Sequence, residues 1–197
     1  MARRERPGHI YGRNTNPTVA VFEEKVRELE GADSATSFAT GMAAISGLFW
    51  ALLEPGQRVV SVRNTYGGTS RVLSDHLPRF GVETKLCPSE DHEAIEAEIE
   101  RGCDLLYLES PTNPTLAILD LARLSAAAER AGALVVVDNA FATPINQSPL
   151  EMGAHLVVHS ATKFLGGHAD ALGGVVCGEK ALVDAIFEFR ESHGSSL

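Results

Sequence analysis

An alternation constrains this chain more than any other feature. Short runs rich in β-branched residues recur at 58–62, 82–87, 104–109, 133–138, 155–159 and 174–177, with helical stretches between them. Strand, helix, strand repeated in this way buries a mainly parallel sheet under helices on both faces, because each crossover must return over one side of the sheet. The run Leu134-Val135-Val136-Val137-Asp138 is almost wholly apolar, as a central strand covered on both sides requires. The pattern predicts an α/β fold with an open, mostly parallel sheet. It leaves the order of the strands open.

The helical stretches carry their own punctuation. Val19, Phe22, Val26 and Leu29 fall at helical spacing, with Thr18 placed to cap the start and Gly31 to take the left-handed closing position. A second helix is expected from Gly41 to Leu53, ended by Glu54-Pro55-Gly56 because proline cannot continue the ladder. Asp120 caps a third, running to Ala131, with Leu121, Leu124 and Ala128 on one face and Gly132 closing it. Nothing repeats at a fixed period. The chain reads as a basic arm over residues 1–17 followed by one continuous domain over 18–197.

Composition removes several classes of function. With 17 Lys plus Arg against 26 Asp plus Glu, the net charge of −9 disfavours a nucleic-acid backbone as partner. No apolar run approaches the roughly 18–20 residues that cross a bilayer, and the basic start has no apolar stretch behind it, so a cytoplasmic protein without membrane contact is expected. Cys87, Cys103 and Cys177 are odd in number and far apart, which predicts free, buried thiols. His155 and His159, with His168 and Asp170, do not make a metal site, because four residues along a strand span about 13 Å. Core or rim histidines fit better. The acidic segment 91–100 keeps only Ile95 and Ile99 on an apolar stripe and reads as a solvated outer helix, while Trp50 reads as core.

Ligands of open parallel sheets bind beyond the carboxyl ends of the strands. Asp138 and Glu109 each close a strand there, and Ser160, Thr162 and Lys163 follow another. Asp138 and Lys163 either face one another across a pocket or form a salt bridge at the sheet rim. Thr40-Gly41-Met42 opens a helix whose free N–H groups suit a phosphate. Neither G-x-G-x-x-G nor G-x-x-x-x-G-K-[ST] occurs, which removes dinucleotides and the P-loop.

Six motifs stand in one order: YGRNTNPT at Tyr11–Thr18, ATGMAAI at Ala39–Ile45, NTYGGT at Asn64–Thr69, ESPTNPT at Glu109–Thr115, VDNAF at Val137–Phe141 and SATKFLGGH at Ser160–His168. Together they resemble the Cys/Met-metabolism family of pyridoxal-phosphate (PLP) enzymes, which holds cystathionine γ-synthase, cystathionine γ-lyase, methionine γ-lyase and O-acetylhomoserine sulfhydrylase. The resemblance covers nearly the whole chain. It implies the fold type I of PLP-dependent transferases, with residues 18–197 as the PLP-binding large domain.

The resemblance also implies roles. Lys163 would bond the cofactor aldehyde and move protons, and Asp138 would keep the pyridine nitrogen protonated so that the ring draws electrons. Ser160, Thr162, Gly41 and Met42 would hold the cofactor phosphate. Tyr66 would stack on the ring and assist departure of the γ-substituent, and Asn113 would lie near the ring hydroxyl and the substrate carboxylate. Tyr11 and Arg13 would reach the phosphate in a neighbouring subunit, which implies a homo-oligomer, a dimer at minimum and a tetramer in the family's usual form.

The implied activity is γ-elimination from a sulfur amino acid, giving a 2-oxo acid, ammonia and a thiol. Gly68 in Tyr-Gly-Gly-Thr, a feature of cystathionine-type members, points the same way. The alternatives are γ-replacement on an O-acyl-homoserine, or a non-catalytic piece that keeps the cofactor fold. The chain departs from the family in two ways. It is about half the usual length, so the C-terminal small domain with its carboxylate-binding arginine is expected to be absent, and poor turnover by these residues alone follows. It also carries Thr40 where many members have Ser, and Gly166-Gly167 where others have Asn before Gly-His.

Overall fold

A computed structural model of the chain describes residues 8, 9 and 11–197. Residues 1–7 and 10 of the expected basic arm, Arg3, Arg4 and Arg6 included, lie outside the described residues. Helix α1 spans Pro17–Glu30, and its cap is not Thr18 but Asn16, whose side chain accepts the Thr18 N–H at 2.9 Å. Pro17 explains the earlier start, since a proline in the first turn gives up an N–H that would be orphaned anyway. Gly31 closes the helix at φ 67° as expected.

Strand β1 (Ser34–Phe38) leads into α2 (Gly41–Leu52), capped by the Thr40 hydroxyl on the Ala43 N–H at 3.0 Å. After the Pro55 turn come β2 (Arg58–Val62), a short α3 (Gly67–Arg71) that continues through a π turn, β3 (Glu83–Cys87) and α4 (His92–Glu100). Then β4 (Leu105–Glu109), α5 (Leu121–Ala131), β5 (Leu134–Asp138), a single turn α6 (Thr143–Asn146), β6 (Leu156–Ser160), β7 (Gly174–Gly178) and α7 (Lys180–His193) complete the chain.

The seven strands form one sheet in the order β1-β7-β6-β5-β4-β2-β3. Strands β3, β2, β4, β5 and β6 run parallel, and β7 is antiparallel to both β6 and β1. The apolar strand β5 takes the middle place. Every strand read from the sequence is present to within a residue or so at each end. β1 was not among them, because Ser34-Ala35-Thr36-Ser37-Phe38 has no apolar run.

One face of the sheet packs Val136, Val158 and Tyr107 against Ile45, Leu48 and Phe49 of α2 and Val183 and Ile186 of α7. The other packs Val135, Val137 and Leu106 against Ile95 and Ile99 of α4 and Leu121, Leu124 and Ala128 of α5. Val26 of α1 joins Val157, Val175 and Cys177 on that same side. Buried Arg190 of α7 staples the start of the chain to its end, donating to the carbonyls of Ser37 at 2.8 Å and Asn14 at 3.0 Å.

Two smaller expectations are corrected. Trp50 lies at the border of the core, edge-on to Phe80 at 4.6 Å, rather than within it. Helix α4 is not wholly solvated on its acidic side, since Glu98 is buried against Arg58 at 2.6 Å. All three cysteines are free and buried, and burial pushes the Cys103 thiol up to about 11. Among the described residues no helix is long and apolar enough to cross a membrane.

Candidate active site

The carboxyl ends of the parallel strands meet the start of α2 around a cavity of about 320 Å³. Lys163, Asp138, Tyr66, Asn113, Ser160, Thr162, Gly41 and Met42 all line it, so the structure brings together eight of the ten residues singled out from the sequence. Glu109, Phe141, Phe164 and Leu172 complete much of the wall.

Each arrives by a simple route. Alternation along β4 and β5 puts Tyr107 and Glu109 on the same face as Val136 and Asp138, the face toward α2. Glu109 and Asp138 are register partners on adjacent strands, so their side chains stand about 5 Å apart at the backbone. Lys163 sits in the turn after β6, its N–H donating to the Ser160 carbonyl at 3.1 Å and its carbonyl accepting the Gly167 N–H at 2.7 Å. Tyr66 precedes α3, and its backbone N–H donates to Glu109 Oε2 at 2.6 Å. Gly68 leaves room for that ring: a Cβ there would lie 2.7 Å from Met42 Sδ and 2.8 Å from Tyr66 Cε1.

The electrostatics are unequal along the cavity. Asp138 is buried, and burial raises its pKa against the opposing pull of the Ala140 N–H on Oδ1 at 3.0 Å and the Tyr107 hydroxyl on Oδ2 at 3.1 Å. Glu109 is pushed up to about 8, first by burial and then by the charge of Asp138, with the Tyr66 N–H pulling the other way. Two carboxyls side by side cannot both ionise cheaply, so Glu109 holds its proton at neutral pH. At the opposite wall, the N–H groups of Gly41 and Met42 lie in the first turn of α2, where a helix has no acceptor of its own for them. A side chain at Gly41 would come within 2.6 Å of Ser160 Cβ, so only glycine lets this helix start lie against that hydroxyl. The cavity thus offers N–H and O–H donors at one end, carboxyls at the other and a primary amine on the rim.

That donor set fits PLP. The helix start would suit a phosphate, the Asp138 carboxyl a protonated ring nitrogen, and the Lys163 amine an aldehyde. The Thr162 hydroxyl is positioned in the cavity wall by accepting the Gly173 N–H at 3.2 Å.

Tyr11 and Arg13 are not in this cavity. Arg13 lies 5.3 Å from the centre of the Tyr11 ring, donates to the Glu191 carbonyl and has its own carbonyl bonded by Ser196 Oγ at 2.8 Å. His159 is a core residue, its Nε2 2.5 Å from Glu30 Oε1, and His155 is a rim residue, accepting the Val135 N–H at 3.0 Å. The Glu30 carboxylate also accepts from Asn139 at 2.8 Å, which anchors the backbone next to Asp138. Glu109 was placed at the ligand end of its strand but given no role, and Tyr107 was not singled out at all. The signal was present in the alternation of Leu105-Leu106-Tyr107-Leu108-Glu109 at the strand's carboxyl end.

Residues 1–197 match the family model described as Cys/Met metabolism PLP-dependent enzyme. The chain is 43% identical over 182 residues to an L-methionine γ-lyase of Pseudomonas putida, a match covering 92% of this chain and 46% of that protein. It is 40% identical over 193 residues to an O-succinylhomoserine sulfhydrylase of Pseudomonas aeruginosa, covering 98% of this chain and 48% of that one. The crystal structure of metB from Corynebacterium glutamicum superposes with a TM-score of 0.93 at 36% identity, over 100% of this chain and 51% of that one. The chain spans about half the length of the curated relatives it matches.

Proposed function

Since the chain belongs to the Cys/Met metabolism PLP-dependent enzyme family, we propose that it is the cofactor-binding portion of an enzyme that eliminates the γ-substituent of a sulfur amino acid, releasing a 2-oxo acid, ammonia and a thiol. The observation that carries this reading is the convergence of Lys163, Asp138, Tyr66, Ser160 and the start of α2 on one cavity. When bound, PLP supplies an electron-poor ring that stabilises negative charge at the substrate carbon bearing the amine.

This chain's residues do the rest. Lys163 Nζ anchors the cofactor and carries the proton taken from the substrate α-carbon. Asp138 keeps a proton on the ring nitrogen, and Glu109, neutral beside it, holds the Tyr66 backbone in place. Tyr66 closes one wall and its phenol serves the departing γ-sulfur. Asn113 sits where the ring hydroxyl and substrate carboxylate would lie, and Gly41, Met42, Ser160 and Thr162 bound the phosphate end. Phe141 and Phe164, their rings 5.7 Å apart, stand at the mouth of the cavity beside Lys163. Tyr11 and Arg13, outside their own cavity, serve a neighbouring copy in a homodimer or tetramer in the cytoplasm.

The lyase relative supports elimination, and the sulfhydrylase relative supports γ-replacement on an O-acyl-homoserine as the second reading. Borohydride reduction of the B6-loaded protein followed by peptide mapping is expected to find a pyridoxyl group on Lys163. Its absence in protein loaded with excess cofactor overturns the reading. Release of a 2-oxo acid from L-methionine or cystathionine, without added thiol, separates elimination from replacement.

A further inference from the structure

Asp138 is held by two donors, and only one is backbone. Oδ1 accepts the Ala140 N–H at 3.0 Å, and Oδ2 accepts the Tyr107 hydroxyl at 3.1 Å. Tyr107 has no exposed surface, and its ring lies 5.2 Å from that of Phe49 in the core. A phenylalanine would fill the same space, so the packing requires a ring and not a hydroxyl. The hydroxyl reaches diagonally from β4 to the end of β5, because Tyr107 is the register partner of Val136 and not of Asp138.

We propose that Tyr107 is a positioning residue that fixes the orientation and charge of Asp138 toward the cofactor's ring nitrogen, an inference that rests on the proposed function. A carboxyl buried as deeply as Asp138 is driven toward its neutral form, and the Ala140 N–H, His159 and the Tyr107 hydroxyl pull the other way. A neutral Asp138 leaves the ring nitrogen without its anion, and the proton that should sit on the ring is held by the carboxyl instead. Donation from the Tyr107 hydroxyl favours the anion and so keeps the proton on the ring. With Ala140 on the other oxygen, it also locks rotation of the carboxylate.

Nitrogen NMR of the full protein, loaded with PLP isotopically labelled at the ring nitrogen, tests this directly. Wild type is expected to show a protonated ring, and Tyr107→Phe a shift toward the neutral pyridine. Turnover should fall on the order of tenfold to a hundredfold in kcat with KM nearly unchanged. Incorporating fluorotyrosine at position 107, a stronger donor in the same shape, should move the resonance the opposite way and guards against a variant that fails to fold. Asp138→Asn serves as the reference. If it moves the resonance while neither change at Tyr107 does, the role of Tyr107 is overturned and the proposed function stands. If wild type takes up no PLP, or Asp138→Asn leaves the resonance unmoved, the proposed function itself fails.

Discussion

The two rims of the sheet are built on opposite principles. Where the parallel strands begin, charges are matched. Arg58 meets Glu83 at 2.7 Å and Glu98 at 2.6 Å, donates to the carbonyls of Glu98 at 2.8 Å and Gly102 at 2.7 Å, and its own N–H is taken by Asp104 at 2.7 Å. Where the same strands end, Glu109 and Asp138 stand next to one another and are bonded to N–H and O–H groups, not to cations. The hydrogen bond from Arg58 holds Glu98 below the usual carboxylate range, while burial and Asp138 hold Glu109 far above it. One rim is stable as it stands, and the other carries strain that a ligand can relieve. Perturbed carboxyls in a cavity mark the functional end.

The sharpest way to break this contrast uses two glycines of β7. A Cβ at Gly174, at the site rim, would lie 2.2 Å from the Thr40 carbonyl oxygen, and one at Gly178, at the far rim, 2.1 Å from the His155 carbonyl oxygen. Alanine at either is expected to cost about 3 kcal/mol in chemical denaturation, since backbone must move. Only Gly174→Ala should also weaken PLP uptake, measured by titration, because the start of α2 moves with Thr40. Equal loss of uptake from both would show that the rims are not independent.

Next in size is Arg58→Ala. Removing this cation takes a donor from Glu83 and from two carbonyls and leaves buried Glu98 to Arg101 and Lys85 alone, and the melting midpoint should drop on the order of 5 °C. The absorption spectrum of bound cofactor should not change. A spectral change would mean the paired rim reaches the site.

The smallest expected effect is a slope. An acid raised from 4.5 to about 8 on folding contributes stability that is full below pH about 4.5 and is lost as pH rises toward 8. Glu98, lowered by its pairing, works in the opposite sense and loses its contribution as pH falls below 4.5. Melting of the cofactor-free protein should therefore weaken from mildly acidic to mildly basic pH, and Glu109→Gln should flatten that trend. A slope unchanged in the variant would place the proton elsewhere.

Much of this contrast could be read before the fold was known, and the omissions have physical causes. Strand β5 was legible because burial on both sides forces Leu134 to Val137 to be apolar. The meeting of Lys163 and Asp138 at one cavity was legible because both follow the carboxyl ends of strands, where ligands of open parallel sheets bind. Tyr107 was not, since a tyrosine inside an apolar run looks like core until its hydroxyl is seen to meet Asp138. Glu98 looked like one more exposed acid, because its partner Arg58 is 40 residues away. The Asn16 cap was missed for a local reason: Thr18 is also a good cap, and only the proline between them decides the start. Strand order depends on crossovers that leave no local mark.

The pairing of β1 with β7, in which Ser34 meets Gly178, has a consequence for synthesis on the ribosome. Strand β1 is translated well before β7 emerges to pair with it, so its amides wait in water through the synthesis of everything between them. A run of Val and Ile in that place would invite another nascent chain to add on. The serines and threonine of Ser34-Ala35-Thr36-Ser37 keep the waiting strand soluble, and the plainness that hid it from view is what lets it wait.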